Sequence, residues 1–216
     1  MKTRRHNANG KSGQAAIELS ILVIVLSLIV FAAIELGMDC SLSLRMAATA
    51  REGGRLIISN NITPDPTLST ASNSANLSSQ LNTTVYADID NMTQPADIPN
   101  KGRVIISYLI RSDPSNNTNY SDASTQTDDY IQLDYQFTFP SSSTVSVSSK
   151  IPTSSFTDVN SKTVQKVDTS FLPLNALRVG ERTVVVEIFH QTGMLPGVAN
   201  LMQMTGFQYL YEYAMY

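Results

Sequence analysis

An uninterrupted apolar run near the N-terminus constrains this chain more than any other feature. Leu19–Ile34 contains 16 residues without a charge, and the longer segment Ala15–Met38 contains only two charged residues, Glu18 and Glu35. At about 1.5 Å per residue, a helix over Ala15–Met38 is roughly 36 Å long, which is enough to cross a hydrocarbon core of about 30 Å. Apolar residues lie on all sides of such a helix, as expected of a lipid-facing span. The run therefore predicts one membrane helix.

The charges around the run predict its orientation. Four basic residues and no acidic residue precede it: Lys2, Arg4, Arg5 and Lys11. The positive-inside rule then places the N-terminus in the cytoplasm and the C-terminal bulk outside the cytoplasmic membrane. The formal net charge of the whole chain is −3. A nucleic-acid partner would need a basic face, so the charge balance predicts no nucleic-acid partner.

Glu18 needs an explanation, because a carboxylate in a membrane helix costs several kcal/mol unless it is paired or has a function. The basic leader ends at Gly13, and Glu18 is the fifth residue after that glycine. This arrangement resembles the processing site of type IV pilins and pseudopilins. The resemblance implies that a prepilin peptidase cuts between Gly13 and Gln14. It also implies that Glu18 of an incoming subunit pairs with the new amine, on Gln14, of its neighbour. The first helical turn would equally allow this contact within one chain.

Two further motifs narrow the resemblance. Ile34–Gly37 reads IELG and Ala47–Arg55 reads AATAREGGR. Both resemble motifs of the TadE/TadG-type pseudopilins of tight-adherence (Flp-type) pili. The resemblance implies a minor pilin-like subunit that starts in the cytoplasmic membrane and ends in an extracellular pilus or at the cell surface. It also implies three kinds of partner: the prepilin peptidase, other pilin or pseudopilin subunits, and the assembly-platform proteins of that membrane.

Two other interpretations of the N-terminus stay open. A secretory signal peptide would be cut after Ala50, although that position lies well beyond the end of the apolar run. An uncleaved signal anchor would leave Glu18 at the cytoplasmic interface, with its carboxylate reaching toward water. The protein would then be a signal-anchored binding module that recognises a ligand outside the membrane. Glu35, near the outer interface, is expected to be a solvated residue at the end of the span.

The helix is predicted to continue beyond the membrane. A spacing of three or four residues gives one narrow apolar stripe, formed by Leu42, Met46, Ala50, Gly53 and Ile57. Small residues in this region would let another helix approach closely. The candidate helix-packing residues are Ala47, Ala50, Gly53 and Gly54. The alternative is that the stripe docks on the globular part of the same chain, and many pilin-like helices do both.

The remaining chain predicts an α+β domain outside the membrane. A helix is expected over 66–82, with Asp65-Pro66 as its N-cap and first residue. Strands are expected at Val104–Ile110, Tyr130–Phe139 and Thr183–His190, the second alternating as in a sheet with one buried face. The segments 112–129 and 140–170 are predicted as loops, apart from a short strand near Val145–Val147.

Near the C-terminus we expect a short helix over 196–205 and a final strand. Four rings would line one face of that strand: Phe207, Tyr209, Tyr211 and Tyr213. They would either pack on the domain's own helix or form an exposed aromatic face for a neighbouring subunit or an adhesive surface. The predicted organisation is a leader at 1–13, a membrane helix with its extension at 14–58, and the extracytoplasmic domain at 59–216.

No catalytic pattern is recognisable in the sequence. The histidines are His6 and His190, and Cys40 is the only cysteine, so neither a disulfide framework nor a multi-cysteine metal site is expected. No glycine-rich phosphate loop or serine-centred elbow is present. We therefore expect no enzyme activity, no metal and no cofactor.

Overall fold

The computed structural model describes residues 9–65, 67–94, 97–112, 130–141, 145–157, 163–191 and 209–216. It confirms the α+β class, because a long N-terminal helix is followed by a domain built on one curved β-sheet. The predicted helix at 196–205 and the ring of Phe207 lie outside the described residues.

Helix α1 spans Asn9–Ser59 without interruption. It therefore begins within the predicted leader and passes through the Gly13–Gln14 bond. Its apolar residues from Ile17 to Met38 are exposed on every side of the helix. Among the described residues, α1 is the one helix long and apolar enough to cross a membrane. This is consistent with a single membrane anchor near the N-terminus.

The helical segment after α1 is longer than the sequence predicts. It consists of α2 (Thr70–Gln80), a π-helical turn (Leu81–Tyr86), α3 (Ala87–Thr93) and, after a break, α4 (Ile98–Lys101). The predicted cap is wrong: the N-cap of α2 is Ser69, whose Oγ accepts a hydrogen bond from Ser72 N at 3.2 Å. Asp65 instead accepts one from Thr67 N at 2.8 Å, which closes a turn before the helix.

Six antiparallel strands form one sheet in the order β3-β4-β2-β1-β5-β6. Their bounds are β1 (Gly102–Arg111), β2 (Ile131–Phe139), β3 (Thr153–Thr157), β4 (Thr163–Val167), β5 (Arg182–Gln191) and β6 (Tyr209–Met215). The predictions of β1, β2, β5 and the final strand are confirmed. The prediction of a loop over 140–170 is wrong, because it contains β3 and β4. Both strands are short and polar, so they lack the apolar alternation that marked the others. The predicted strand near Val145–Val147 is absent, since these residues do not form a strand.

A β-bulge in β2 moves the apolar side chains of this strand from one face of the sheet to the other. Tyr108 pairs with Tyr135 and the next residue, Leu109, pairs with Leu133, so Asp134 is the extra residue. Leu133 packs in one apolar cluster and Tyr135 in the other, on opposite faces of the sheet. The prediction of one buried face is therefore wrong. Strict alternation along the sequence could not reveal an inserted residue.

The helices cover one face of the sheet, here called the helix face. Its cluster includes Met46, Ala50 and Ile57 of α1 and side chains from α2, α3, β1, β2, β5 and β6. The opposite face, here called the second face, is covered by the chain around Ile151 and Phe171–Leu177. Tyr108 OH donates to Ile62 O at 2.8 Å and so joins β1 to the chain leaving α1.

Helix α1 and strand β6 run side by side in the same direction. Ser43 donates a hydrogen bond to Glu212, and Gly54 lies against the ring of Tyr216. These contacts are about 16 Å apart along the helix and about 14 Å apart along the strand. The two elements are therefore nearly parallel, so β6 points away from the apolar end of α1.

Candidate functional site

The first turns of α1 carry the residues that the sequence singled out for processing and assembly. Gly13, Gln14 and Glu18 are all exposed. Gln14 Nε2 donates to Glu18 Oε1 at 3.0 Å, one helical turn apart. No atom of the described residues lies within 4 Å of the position that a Cβ on Gly13 would occupy. This end of the helix is thus open to an approaching protein, and Glu18 already accepts a hydrogen bond from the residue after the predicted cut.

The apolar half of α1 is built for an environment without water. Its two hydroxyl groups are satisfied within the helix: Ser20 Oγ donates to Ala16 O at 2.8 Å and Ser27 Oγ to Val23 O at 2.7 Å. In hydrocarbon an unpaired polar group costs several kcal/mol. The exposed surface is otherwise formed by large apolar side chains. It can be covered by lipid or by the apolar helices of other subunits.

The second half of α1 lies against the chain's own sheet. Met46, Ala50 and Ile57 have no exposed surface, and Gly53 and Gly54 are also buried. A Cβ on Gly53 would lie 3.0 Å from Ile89 Cδ1, and one on Gly54 only 2.0 Å from Tyr216 Cδ2. The two glycines therefore allow the close approach of α3 and of the end of β6.

Other small residues of the motif lie toward the edge of this contact. Ala47 is half-buried and Ala48 is exposed. On the outer face of α1, Arg55 forms an ion pair with Glu52, and Leu44 is 73% exposed. The candidate packing residues are thus divided: Ala50, Gly53 and Gly54 contact the domain, Ala47 lies at the edge of this contact, and the neighbouring outer face is exposed.

Polar contacts fix the helix where it leaves the apolar segment. Ser43 Oγ donates to the Glu212 carboxylate, and Arg45 Nη1 donates to Gln94 O at 3.2 Å. The expectation of a solvated Glu35 is wrong, because its side chain is half-buried and one carboxylate oxygen is inaccessible to water. His190, at the end of β5, is also buried.

A buried carboxylate, Glu187, organises the second face of the sheet. It has no exposed surface and lies in the middle of β5. Lys150 N donates to Glu187 Oε1 at 2.8 Å, Tyr211 OH donates to the same oxygen at 3.1 Å, and Ser149 Oγ donates to Oε2. Burial, and then the charge of Glu187, raise the pKa of Tyr211 above its usual range. Glu187 thus connects β5, β6 and the segment before β3.

Aromatic rings of β6 continue this network toward the surface. Ring centroids are 4.9 Å apart for Phe189 and Tyr211, and 5.9 Å apart both for Tyr211 and Tyr213 and for Tyr213 and Phe171. Tyr211 is half-buried, whereas Tyr213 is 48% exposed. The prediction that the rings pack on the domain's own helix is wrong, because Tyr211 and Tyr213 lie on the second face, opposite the helices. The row packs on that face and ends in an exposed ring, so an exposed aromatic face is confirmed in part.

Sequence reasoning did not identify Glu187 as important. A signal was present, because Glu187 interrupts the apolar run Val184–Ile188, where an unpaired charge would not be tolerated. The Ser43–Glu212 contact had no comparable signal, since it joins residues 169 positions apart. Among the described residues, no three His, Cys, Asp or Glu side chains are close enough together to hold a metal ion.

Comparison with known proteins agrees with the N-terminal motifs. The family model described as TadE-like protein matches residues 13–55, about a fifth of the chain. The match begins at Gly13 and ends within the docked part of α1. It supports the resemblance to the TadE-type pilin-like proteins of tight-adherence pili and a general association with pilus components. No curated protein and no solved structure matches the chain.

Proposed function

We propose that this chain is a pseudopilin, or minor pilin-like subunit, of a tight-adherence-type pilus or a related secretion filament. The observation that carries the proposal is the coincidence of the TadE-like match with α1. The matched segment joins an apolar helix exposed on every side to the docked stripe of the domain. The apolar half of such a helix can leave the lipid and pack against other subunits, while its second half stays attached to the domain.

In this proposal a prepilin peptidase cuts the precursor after Gly13. The cut creates an α-amine on Gln14 with a reference pKa near 7.7–8.0, so most of it is protonated at neutral pH. An isolated ammonium and an isolated carboxylate are both costly away from water, and pairing offsets much of that cost. Glu18 of an incoming subunit would pair with this amine on its neighbour. The precursor is anchored in the cytoplasmic membrane with its N-terminus inside, and no catalytic role is proposed.

The N-terminus of the mature protein distinguishes this proposal from its alternatives. Intact mass and N-terminal sequence are measured on protein recovered from the native host. A chain beginning at Gln14 supports prepilin-type processing, and Gly13→Leu should then leave the precursor uncut. A chain beginning at Met1 would favour the signal-anchored binding module. A start near Arg51 would mean a secreted protein and would exclude a role for Glu18.

Substitution of Glu18 tests the assembly step separately. Glu18→Ala should leave the amount of membrane precursor unchanged and lower incorporation into filaments at least tenfold, because the amine loses its partner. Glu18→Gln keeps a hydrogen-bonding group without the charge and should be equally defective. Glu181→Ala, at an exposed position of the domain, serves as the control. Quantitative immunoblots of sheared filaments and membranes give both values, and normal incorporation of both Glu18 variants would exclude the pairing.

A further inference from the structure

The two outer strands of the sheet each have one side without a strand partner in the described part of the chain. These strands are β3 at one edge and β6 at the other. Neither contains Lys or Pro, the residues that commonly protect exposed edges from pairing with another chain. An edge without a strand partner is a template for a further strand. The question is which strand fits it.

The hydrogen bonds between β5 and β6 show which backbone groups of β6 point outward. Val184 N donates to Tyr216 O at 2.8 Å, and Tyr216 N donates to Val184 O at 2.9 Å. In an antiparallel ladder, such reciprocal pairs alternate with pairs whose N–H and C=O groups point away. The register of β6 is regular. The outward backbone groups are therefore those of Tyr211, Tyr213 and Met215, whose side chains lie on the second face.

The same reasoning applies to β3. Asp168 N donates to Pro152 O at 2.9 Å, and the register from Thr153 to Thr157 continues from this pair without a bulge. The outward backbone groups are therefore those of Thr153, Ser155 and Thr157. Gln165 Nε2 donates to Ser155 Oγ at 3.1 Å, and its neighbour Val167 packs in the second-face cluster. Ser155 thus lies on the same face of the sheet as Tyr213.

The direction of the strands selects a second copy of the chain as the partner. All five pairings in the sheet are antiparallel, so β3 and β6, at opposite edges of six strands, run in opposite directions. A second copy with the same orientation therefore places its β3 antiparallel to β6 of the first. Single-span subunits in one membrane share their orientation, and in the proposed filament they retain it. The hydroxyl-bearing, partly β-branched row of β3 is also a suitable cross-strand partner for the tyrosines.

We propose that β6 of one copy pairs with β3 of a second copy, with Ser155 opposite Tyr213, Thr157 opposite Tyr211 and Thr153 opposite Met215. Across the strands of one sheet, Ser155 lies at the same height as Leu109 of β1, and Tyr213 lies at the same height as Ile105 of β1. The copies are therefore staggered by four residues, about 14 Å, along the strands. The second copy lies nearer the apolar end of α1.

A stagger of this size fits two subunits that are displaced along a filament axis better than two subunits that lie at the same depth in a bilayer. The cellular setting of this contact rests on the proposed function, whereas the contact itself can be tested without it. Purified full-length chain in detergent micelles is suitable, because micelles do not fix two copies at one depth. The Gly13→Leu form can be used as well, since pairing of β6 with β3 does not require processing.

Cross-linking between two single-cysteine variants tests the contact. Ser155→Cys and Tyr213→Cys chains, both carrying Cys40→Ser, are mixed and treated with a short thiol-reactive cross-linker. We expect a heterodimer band at least tenfold stronger than from a mixture of Ser154→Cys and Tyr213→Cys, because Ser154 lies on the other face. Equal yields from the two mixtures would overturn the proposed register. In the native host, capture of a different protein in place of a second copy at Tyr213→Cys would overturn the choice of partner.

A backbone substitution separates main-chain pairing from side-chain contact. Tyr213→Pro removes an outward N–H and leaves the bonds from β6 to β5 in place. Tyr213→Ala removes the same ring and retains the N–H. The Kd for self-association, measured by analytical ultracentrifugation in detergent, should rise at least tenfold for Pro relative to Ala, with circular dichroism confirming that both variants are folded. Equal Kd values for the two folded variants would overturn the proposal, and normal processing of such chains would leave the proposed function standing.

Discussion

Glu187 shows how one side chain determines the arrangement of three chain segments. Its two carboxylate oxygens accept hydrogen bonds from Ser149, Lys150 and Tyr211, and no part of it contacts solvent. A buried charge is tolerated only when it is paired or hydrogen-bonded. The three donors surround the carboxylate and shield it from water. Glu187 therefore specifies where the segment before β3 lies on the sheet.

Removal of this carboxylate should be costly. Glu187→Ala leaves the three donors without an acceptor, and we expect the free energy of unfolding to fall by about 2–4 kcal/mol. Chemical denaturation of the detergent-solubilised chain, followed by circular dichroism, gives the value. The control is Glu181→Ala, because Glu181 is exposed and its carboxylate accepts a hydrogen bond from Arg178 N alone among the described residues. Similar losses for the two variants would show that the network does not stabilise the fold.

At the scale of elements, α1 combines two environments in one helix. The apolar stripe from Leu42 to Ile57 could be read from the sequence because a helix places residues three and four apart on one face. The partners of the stripe could not be predicted, because they lie on α3, β5 and β6, which are distant in the sequence. The close contact of Gly54 with Tyr216 depends on how two distant segments approach. Local spacing therefore predicted the face of the helix but not its partner.

The two glycines of this helix should respond differently to the same substitution. Alanine in place of glycine favours a helix interior by about 1 kcal/mol. At Gly53 the added methyl meets the flexible end of Ile89 at 3.0 Å, so the effects roughly offset. At Gly54 it would overlap the Tyr216 ring, and we expect a net loss of about 1–2 kcal/mol. Midpoints of urea unfolding test this order, and a more damaging Gly53→Ala would contradict it.

Some strands could also be predicted from their own sequence, whereas others depend on pairing with distant segments. β1 and β5 are rich in Val and Ile, and β2 alternates, so their existence followed from composition and period. β3 and β4 are polar because they form an edge hairpin with little core to cover. Their stability depends on pairing with β2, through Gln132 and Leu133, which no local window contains. The bulge at Asp134 is likewise a property of two strands together.

For the whole molecule, the boundary of the folding unit lies inside α1. Met46, Ala50 and Ile57 belong to the helix-face cluster and have no exposed surface. Burial of one large apolar side chain contributes about 1.5–3 kcal/mol. Since domains of this size are stable by only about 5–15 kcal/mol, the docked half of α1 contributes a large share. The domain therefore needs this helix in order to fold.

Two shortened chains test this boundary. A chain of residues 42–216 should be soluble and should unfold cooperatively on heating, because it retains the stripe and omits the exposed apolar segment. A chain of residues 60–216 should show no cooperative transition, because the core would lack its α1 side chains. Circular dichroism on heating and near-ultraviolet spectra provide the comparison. A cooperative transition in the shorter chain would show that α1 is not part of the folding unit.

The parallel course of α1 and β6 has a mechanical consequence. Tension applied to the apolar end of the helix acts along the line of contact between the two elements, rather than across it. The buried side chains from Met46 to Ile57 then bear the load together, in shear, and cannot be peeled away one after another. A force on the N-terminal end of α1 can therefore be transmitted to the domain while the two remain in contact.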